Sequence, residues 1–423
     1  MIRFYNGRVL RFGDALRVTE DEVWTNGDAI AYVGPKKADA PEFEREIDLK
    51  GNLLMPGFKN AHTHSAMTFL RSYADDLPLQ SWLFDKVFPL EAKLAPQDVY
   101  DLTKLAILEY LTSGITAAFD MYFFNDAYVN AAIDCGFRTV LCGAVSDTSD
   151  RLEALEENHL KFNKFHPLVS HMLGFHAEYT CGERVLSYVA GLAEKYKAPV
   201  YTHNSETEAE VAGCIERYGV TPTELFDRMG IYKYGGGGFH CTYMTDRDLE
   251  IFKARGLWAV TNPGSNAKLA SGIAPISRMM EKGVSLAIGT DGPASNNALD
   301  MFREMYLVTV LQKLIQKDAA ACDADRVLEM ATVGGAHAMG LDNCDVLEKG
   351  KQADLIVLDL NRPNMQPLNC MTKNIVYSGS KENVKMTMIA GKILYEDGDF
   401  YVGEDPERIY RRANEIITRI AGR

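Results

Sequence analysis

The sequence contains no Cys-x-x-Cys pair. Its eight cysteines are scattered between positions 135 and 370, so neither a thioredoxin-like redox motif nor a zinc ribbon is present. The first residues lack the apolar stretch of a signal peptide, and no apolar run is long enough to span a bilayer. These absences predict a reduced, cytoplasmic enzyme with no membrane partner, in which most cysteines are small buried apolar residues.

An excess of positive charge is also missing. Lys and Arg number 45 against 58 Asp and Glu, which gives a formal net charge of −13. An acidic surface without a basic stripe argues against a nucleic-acid partner, although a nucleoside, which carries no phosphate, stays possible. The sequence shows no internal repeat, and its 423 residues, 47% of them hydrophobic, suit a large α/β barrel with an added module.

The most informative stretch is residues 60–65, which contains His62 and His64. It follows the apolar run Leu53–Met55 and a Pro-Gly pair, a pattern typical of a strand that runs into a loop. Residues two apart on a strand point to the same face, so the two imidazoles can aim at one point, as a metal site requires. The pair alone also allows two unrelated histidines.

Strand-like and helical segments alternate between residues 53 and 291. One helix is predicted to begin at Pro96 and to end before Gly114. Eight alternations predict an α/β fold with a TIM-like (β/α)8 barrel. The eight predicted strands are Leu53–Asn60, Ile115–Asp120, Arg138–Cys142, Val169–His176, Pro199–His203, Phe239–Cys241, Trp258–Asn262 and Val284–Asp291.

The two ends of the chain resemble each other in texture, with short strands broken by turns. We therefore predict that both ends form one small β-sandwich module beside the barrel. The predicted division is 1–57 and 346–404 for the module, 58–345 for the barrel and 405–423 for a terminal helix. The glycine run 235–238 is interpreted as a flexible turn before the sixth strand.

Polar side chains collect at the carboxyl ends of the predicted strands, where such barrels place their active sites. Five of the nine histidines lie there, together with a glutamate and an aspartate: His62, His64, His176, His203, His240, Glu206 and Asp291. Three histidines and one aspartate would match a divalent ion that keeps one position open for water.

This constellation resembles the amidohydrolase superfamily over residues 51–358. The resemblance rests on the His-x-His pair, the His-x-x-Glu that begins at His203, His240 and Asp291. Some members hold two metals bridged by a modified lysine at the end of strand four, and Val169–His176 contains no lysine. The resemblance therefore implies one divalent ion, with zinc as the default and iron or manganese as alternatives.

Further motifs are similar to those of the 5′-methylthioadenosine/S-adenosylhomocysteine deaminases, and the resemblance spans nearly the whole chain. They are residues 56–64, 75–79, Trp82-Leu83, Pro89–Glu91, Asn262–Asn266 and Gly289–Asn297. The resemblance implies hydrolytic deamination of an adenine nucleoside to the inosine analogue and ammonia. The implied substrate is a small purine nucleoside.

The resemblance also implies a role for each site residue. His62, His64, His203 and Asp291 hold the metal. Asp291 and His240 take the proton of water and orient it, and Glu206 protonates the purine ring nitrogen next to the amino-bearing carbon. The implied substrate contacts are Trp82, Glu91, Arg151, His176 and Glu206.

One position departs from the pattern. Relatives that grip the carboxylate of S-adenosylhomocysteine can use two arginines, and the first of these positions is Cys142 here, while the second matches Arg151. Because cysteine cannot form a bidentate contact with a carboxylate, we expect a preference for neutral 5′-substituted adenosines or adenosine.

Two alternatives stay open at this stage. A related mononuclear hydrolase could deaminate or dechlorinate another heterocycle, such as guanine, cytosine or a triazine. A catalytically silent barrel used as a scaffold is less compatible with the intact ligand set. The oligomeric state is not specified by the sequence, and a homo-oligomer is possible.

Overall fold

A computed structural model describes residues 1–13, 15–77 and 81–422 of the protein. The amino-terminal part is built of short strands that end before the barrel begins. They are β1 (Ile2–Tyr5), β2 (Arg8–Arg11), β3 (Arg17–Thr19), β4 (Glu22–Asn26), β5 (Ala29–Gly34), β6 (Arg45–Asp48) and β7 (Leu53–Pro56).

Eight parallel strands form one sheet in the order in which they occur in the chain. They are β8 (Phe58–Thr63), β9 (Ile115–Met121), β10 (Arg138–Cys142), β11 (Val169–Gly174), β12 (Val200–Asn204), β13 (Gly236–His240), β14 (Trp258–Thr261) and β15 (Ser285–Ile288). The backbone N–H groups of Thr290 and Asp291, just after β15, donate to the carbonyl of His62 on β8. These two bonds join the ends of the sheet, so the predicted (β/α)8 barrel is confirmed.

Helices follow most of the barrel strands, as parallel connections require. The predicted helix after Pro96 runs from Pro96 to Thr112. Within the described residues, the α-helices are Phe88–Glu91, Pro96–Thr112, Asn125–Cys135, Glu153–Phe162, Glu183–Tyr196, Glu208–Tyr218, Pro222–Arg228, Asp246–Arg255, Pro263–Lys268, Ile276–Lys282, Met301–Gln316, Ala324–Glu329, Gly335–Ala338, Met371–Tyr377 and Pro406–Ala421. Among the helices in the described ranges, none combines the length and the apolar character that crossing a membrane requires.

Strands from both ends of the chain share one sheet, as the sequence predicts. The carboxyl-terminal strands are β16 (Leu355–Leu358), β17 (Val384–Ile389), β18 (Lys392–Glu396) and β19 (Asp399–Phe400). They join β7, β2 and β3 in the order β19-β18-β17-β16-β7-β2-β3, while β5-β4-β1-β6 form a second sheet. Apolar residues of the two sheets, among them Phe4, Leu54 and Leu355, pack into one buried cluster. The exact division into domains remains a prediction.

A buried ion pair ties this module to the barrel. Arg138, on β10, donates to the two carboxylate oxygens of Asp354 at 2.6 and 3.0 Å, and both side chains are almost fully buried. Nearby, the buried ammonium of Lys59 donates to the carbonyl of Gly57 and the hydroxyl of Thr116, each at 2.8 Å. The Arg138–Asp354 pair links the module to the barrel, since separating them would leave a buried charge without its partner, which is costly.

Two sequence interpretations of strands are wrong. Residues 53–60 do not form one strand: β7 pairs with β16 in the module, and β8 pairs with β9 in the barrel. The break falls at Gly57, which packs so closely on Thr116 that an added Cβ would lie 2.1 Å from its methyl group. A chain leaving one sheet for another at this point needs the smallest residue.

The glycine run is part of a barrel strand and not a flexible turn. Gly236, Gly237 and Gly238 lie within β13. An added Cβ would approach the carbonyl oxygen of Val200 to 1.9 Å at Gly236 and that of Trp258 to 2.2 Å at Gly237. The glycines therefore permit the neighbouring strands to come close where side chains would prevent it.

Candidate metal centre and active site

The histidines and the aspartate singled out in the sequence meet at the carboxyl end of the barrel. His62 lies on β8 and His64 follows its end, while His203 and His240 lie near the ends of β12 and β13. Asp291 follows β15 by three residues and is tied to His62 through the backbone. Parallel strands bring their ends to one edge of a barrel, and this places all five side chains in one cluster.

The ligand atoms converge closely. The Nε2 atom of His64 lies 3.2 Å from Asp291 Oδ1, and the Nε2 atom of His62 lies 3.6 Å from the same oxygen. His203 Nε2 lies 3.4 Å from His64 Nε2. Two overlapping groups, His62 with His64 and Asp291, and His62 with His203 and His240, each have ligand atoms within 4.8 Å of one another.

Hydrogen bonds on the far side of two rings point their Nε2 atoms into the cluster. His64 Nδ1 is 2.6 Å from the carbonyl oxygen of Met121, and His203 Nδ1 is 2.7 Å from that of His176. A carbonyl oxygen can only accept, so each Nδ1 donates, and in the neutral ring each Nε2 carries the lone pair. Such partners fix the tautomer and orientation of metal-binding histidines.

Two serine hydroxyls hold the outer oxygen of Asp291. Ser265 and Ser295 donate to Oδ2 at 2.6 and 2.7 Å, so Oδ1 faces the histidines. Asp291 itself adopts a left-handed backbone with φ of 59°. The strain of this conformation, which a non-glycine residue rarely adopts, is typical of functional sites.

A divalent cation fits this donor set. Both ring nitrogens of His62 are fully buried and have no hydrogen-bond partner among the described residues. Buried polar atoms are nearly always satisfied, so the unpartnered Nε2, which faces Asp291 Oδ1, points to a missing ligand. Three imidazoles and one carboxylate are a common combination for zinc and related ions.

Burial and the Asp291 carboxylate set the charge states of the cluster. Burial lowers the pKa of His62 to about 3 and that of His203 well below its usual value, so these rings stay neutral. Burial also acts to lower the pKa of His64, but Asp291 outweighs it and raises this pKa to about 9. Burial acts to raise the pKa of Asp291, but the His62 and His64 rings hold it well below its usual value. Asp291 is therefore a buried carboxylate that is stabilised by positive charge beside it, either a proton on His64 or a bound cation.

Glu206 lies beside this cluster on the turn after β12. Its carboxylate is buried; Oε1 accepts a hydrogen bond from Ser271 at 3.1 Å, and Oε2 lies 3.9 Å from His240 Nε2. The turn is held by Glu210, whose carboxylate accepts the backbone N–H groups of Ser205 and Glu206 at 3.0 and 2.7 Å. Hydrogen bonds therefore hold both the backbone and the carboxylate of Glu206 in place.

His240 is oriented by an amide. Its Nδ1 lies 2.7 Å from Asn266 Oδ1, so the ring donates from Nδ1, and Nε2 of the neutral ring is an acceptor. The backbone of His240 is left-handed, with φ of 71°. The ring is buried, and its orientation leaves one nitrogen for chemistry.

The sequence reasoning missed the residues that hold these groups in place. Ser265 and Asn266 lie in the Asn262–Asn266 motif, and Ser295 lies in the Gly289–Asn297 motif. The motifs therefore marked these residues but did not indicate what each of them does. Ser271 and Glu210 belong to no motif. Their roles depend on loop geometry, which carries no repeating pattern.

The predicted substrate contacts fall in different places. Trp82 is buried in the π-helical turn Trp82–Val87, and Glu91 is buried at the end of the next helix. His176 lies with its ring centroid 4.9 Å from that of His203. Arg151, in contrast, is exposed over 63% of its side chain and pairs with Glu157 at 2.6 Å.

Two other predicted features complete the picture. Cys142 is buried in the apolar interior of the barrel, together with Val140 and Tyr201. Of the motif at residues 75–79, Pro78 and Leu79 lie outside the described residues. Asp75 accepts from Asn297 at 2.9 Å and pairs with Lys268.

Comparison with known proteins places this arrangement in a wider context. A family model described as the amidohydrolase family matches residues 53–394. A relative from Dictyoglomus thermophilum, named 5-methylthioadenosine/S-adenosylhomocysteine deaminase, is 38% identical over 393 residues, which are 90% of this chain and 92% of the relative. A relative of the same name from Syntrophobacter fumaroxidans is 39% identical over 93% of this chain and 92% of its own length.

Solved structures show the same fold. An adenosine deaminase from Xanthomonas campestris with bound zinc superposes with a TM-score of 0.94 at 34% identity, covering 100% of this chain and 99% of its own. An atrazine chlorohydrolase from Arthrobacter aurescens in complex with zinc has a TM-score of 0.90 at 22% identity, covering 99% and 100%. The resemblance inferred from the motifs is confirmed.

Proposed function

The chain belongs to the amidohydrolase family, and on that premise we propose that it deaminates an adenine nucleoside by hydrolysis. The product would be the inosine analogue with release of ammonia, and the candidate substrates are 5′-methylthioadenosine, adenosine and S-adenosylhomocysteine. The observation that carries the proposal is a buried acid, Glu206, beside a three-histidine, one-aspartate cluster. Relatives named as deaminases over nearly the full length support it.

We propose that His62, His64, His203 and Asp291 hold one divalent ion. The absence of lysine from β11 supports a single ion. Zinc is favoured because it is bound in the related deaminase structure, and iron or manganese are the alternatives. When bound, such an ion lowers the pKa of a coordinated water toward ~7 and so supplies hydroxide at neutral pH.

The residues around the cluster would then move the protons. Glu206 would donate a proton to the purine ring nitrogen next to the amino-bearing carbon, which makes that carbon more electrophilic. His240, whose Nε2 is an acceptor, would orient the attacking water. Asp291 would take one proton of the water as the water oxygen bonds to that carbon, and would pass this proton to the amino group. Ammonia would leave as the carbon–nitrogen bond breaks, and the proton of the new hydroxyl would return to Glu206, which forms the ring carbonyl and restores the acid. General acid and base help of this kind contributes roughly 10²- to 10⁴-fold.

The remaining side chains are proposed to bind the nucleoside. Glu91 would accept hydrogen bonds from the ribose hydroxyls, while Trp82 and His176 would line the pocket. Arg151 would reach the distal end of the 5′ substituent only after leaving Glu157. Because the position of the first arginine is the buried Cys142, we propose that neutral 5′ substituents are preferred.

We further propose a reducing, cytoplasmic location. All eight cysteines are free thiols, and seven of them are buried. Proteins of oxidising compartments tend to pair their cysteines, so eight unpaired thiols support this location.

The test is a screen with the zinc-loaded protein that measures ammonia release, and chloride release for the chloro-triazine, together with elemental analysis. The panel contains 5′-methylthioadenosine, adenosine, S-adenosylhomocysteine, guanine, cytosine and a chloro-triazine. We expect ammonia from at least one adenine nucleoside and one ion per chain. Activity confined to a free base or a triazine would favour the related hydrolase, and no activity with a full metal site would favour a silent barrel.

A further inference from the structure

We propose that Tyr122 is a specificity-determining residue, whose hydroxyl holds Glu91 in place as the acceptor for the vicinal diol of a ribose. The inference rests on the proposed function, because it concerns the nucleoside that the site would take. It adds a second residue to the sugar subsite, and this residue belongs to none of the sequence motifs.

The backbone places Tyr122 next to the metal cluster. Tyr122 directly follows Met121, the last residue of β9, and the carbonyl of Met121 accepts the Nδ1–H of His64. Two consecutive residues at the end of β9 therefore position Glu91 and the candidate metal ligand His64: Tyr122 contacts Glu91, and Met121 contacts His64. A shift of this strand end would move both together.

The side chains of Tyr122 and Glu91 form a close buried pair. The phenol hydroxyl donates to Glu91 Oε1 at 2.6 Å. The exposed fraction is 5% for Tyr122 and 8% for Glu91. A buried carboxylate needs hydrogen-bond donors to remain charged, and Tyr122 supplies one.

The second oxygen of Glu91 is available to a ligand. No described residue hydrogen-bonds to Oε2. This oxygen is also not fully buried, so a ligand can reach it. A charged, largely buried carboxylate with one such oxygen suits a ligand that brings O–H donors. A vicinal diol brings two of them, and a free purine base offers none at the corresponding place.

Tyr122 also favours the form of Glu91 that can only accept. Burial raises the pKa of Glu91 to about 7, while the hydrogen bond from Tyr122 acts in the opposite direction. Burial and the nearby Glu91 raise the pKa of Tyr122 well above its usual value, so the phenol remains a donor. Without the hydroxyl, the pKa of Glu91 would be higher, and more of Glu91 would be protonated.

Tyr122→Phe isolates the hydroxyl. The Tyr122 ring stacks on Phe123 with centroids 4.2 Å apart, a contact that phenylalanine can keep. Tyr100→Phe is the matched control, because the hydroxyl of Tyr100 also donates to a carboxylate at 2.6 Å, that of Asp134, at an exposed place on a barrel helix.

The experiment compares adenosine with 2′,3′-dideoxyadenosine, which lacks both hydroxyls, in zinc-loaded wild type and both variants. For Tyr122→Phe we expect the KM for adenosine to rise about tenfold or more, since hydrogen bonds to charged groups are worth this much. Its kcat should stay within about threefold, and kcat/KM for the dideoxy substrate within about twofold. Tyr100→Phe should match wild type for both.

Binding of the product provides a readout without turnover. The dissociation constant of inosine should rise about tenfold in Tyr122→Phe, while that of 2′,3′-dideoxyinosine should not change. Equal losses for both substrates, or no loss for either, would overturn the subsite alone. A wild type that deaminates none of adenosine, 5′-methylthioadenosine and S-adenosylhomocysteine would overturn the proposed function, and the subsite with it.

Discussion

Replacing Glu206 with glutamine tests the proposed proton donor. The substitution keeps the size of the side chain, and the amide can still accept from Ser271 through its oxygen. It cannot deliver a proton. Because Glu206 is not one of the proposed ligands, the metal content should stay at one ion per chain.

The expected magnitude follows from the role. A positioned general acid contributes about 10²- to 10⁴-fold, which is about 2.7 to 5.4 kcal/mol of activation free energy. Glu206 is buried, and among the described residues no other carboxylate lies within 3.9 Å of His240 Nε2. We therefore expect kcat to fall by at least ~10²-fold.

The assay measures kcat, KM and metal content for wild type, Glu206→Gln and a matched control. Glu208→Gln is the control, because Glu208 is an exposed glutamate at the start of the next helix. It should behave like wild type. A Glu206→Gln protein with full metal and kcat within threefold of wild type would remove Glu206 from the mechanism.

Further predictions concern the metal, the module contact, the orientation of His240 and the 5′ subsite. By elemental analysis, His203→Ala should bind well under one ion per chain and release no ammonia; two ions per wild-type chain would contradict a mononuclear site. In denaturant titration, Arg138→Met should lose about 3 to 5 kcal/mol of stability because a buried carboxylate is left unpaired. Arg278→Met, which breaks an exposed pair, should lose no more than about 1 kcal/mol. Asn266→Ala should lower kcat about tenfold or more at unchanged metal content, as loss of an orienting hydrogen bond typically does, and an unchanged kcat would argue against this role. Wild type should have a higher kcat/KM for 5′-methylthioadenosine or adenosine than for S-adenosylhomocysteine, and Cys142→Arg should shift the preference toward the latter; a tenfold wild-type preference for S-adenosylhomocysteine, about 1.4 kcal/mol, would contradict it.

The barrel and the metal cluster were predictable because each leaves a pattern in the sequence. Apolar strands alternate with helical segments, and histidines or acids follow the strand ends, as for His203 and Asp291. Parallel connections bring those ends to one edge whatever the loop lengths. The predicted carboxyl end was correct for the strand Arg138–Cys142 and lay within three residues of the observed carboxyl end for the other seven strands.

The errors arose where the local pattern competes with tertiary packing. The glycines of β13 have turn-like composition, but they serve a close approach to Val200 and Trp258 that only the folded sheet reveals. The break at Gly57 divides an apolar run whose halves look alike in sequence. Nothing local distinguishes them, because their partners, β16 and β9, lie far apart in the chain.

The residues that support the site could not be predicted for a related reason. Ser271 and Tyr122 each act through one hydrogen bond to a residue far away in the chain, and Glu210 acts through two hydrogen bonds to the backbone of the turn before it. Such contacts depend on the folded distances between loops and leave no spacing in the sequence. Arg151 shows the converse: its match to a family position was visible, yet its side chain pairs with Glu157 at the surface.

The central claim is that water replaces the amino group of the adenine ring. The most direct test is to react the zinc-loaded protein with adenosine in ¹⁸O-labelled water and to analyse the products by mass spectrometry. The account predicts inosine with one ¹⁸O at the new ring carbonyl and one equivalent of ammonia. Adenine released with ¹⁸O in the ribose, or inosine without the label, would contradict it.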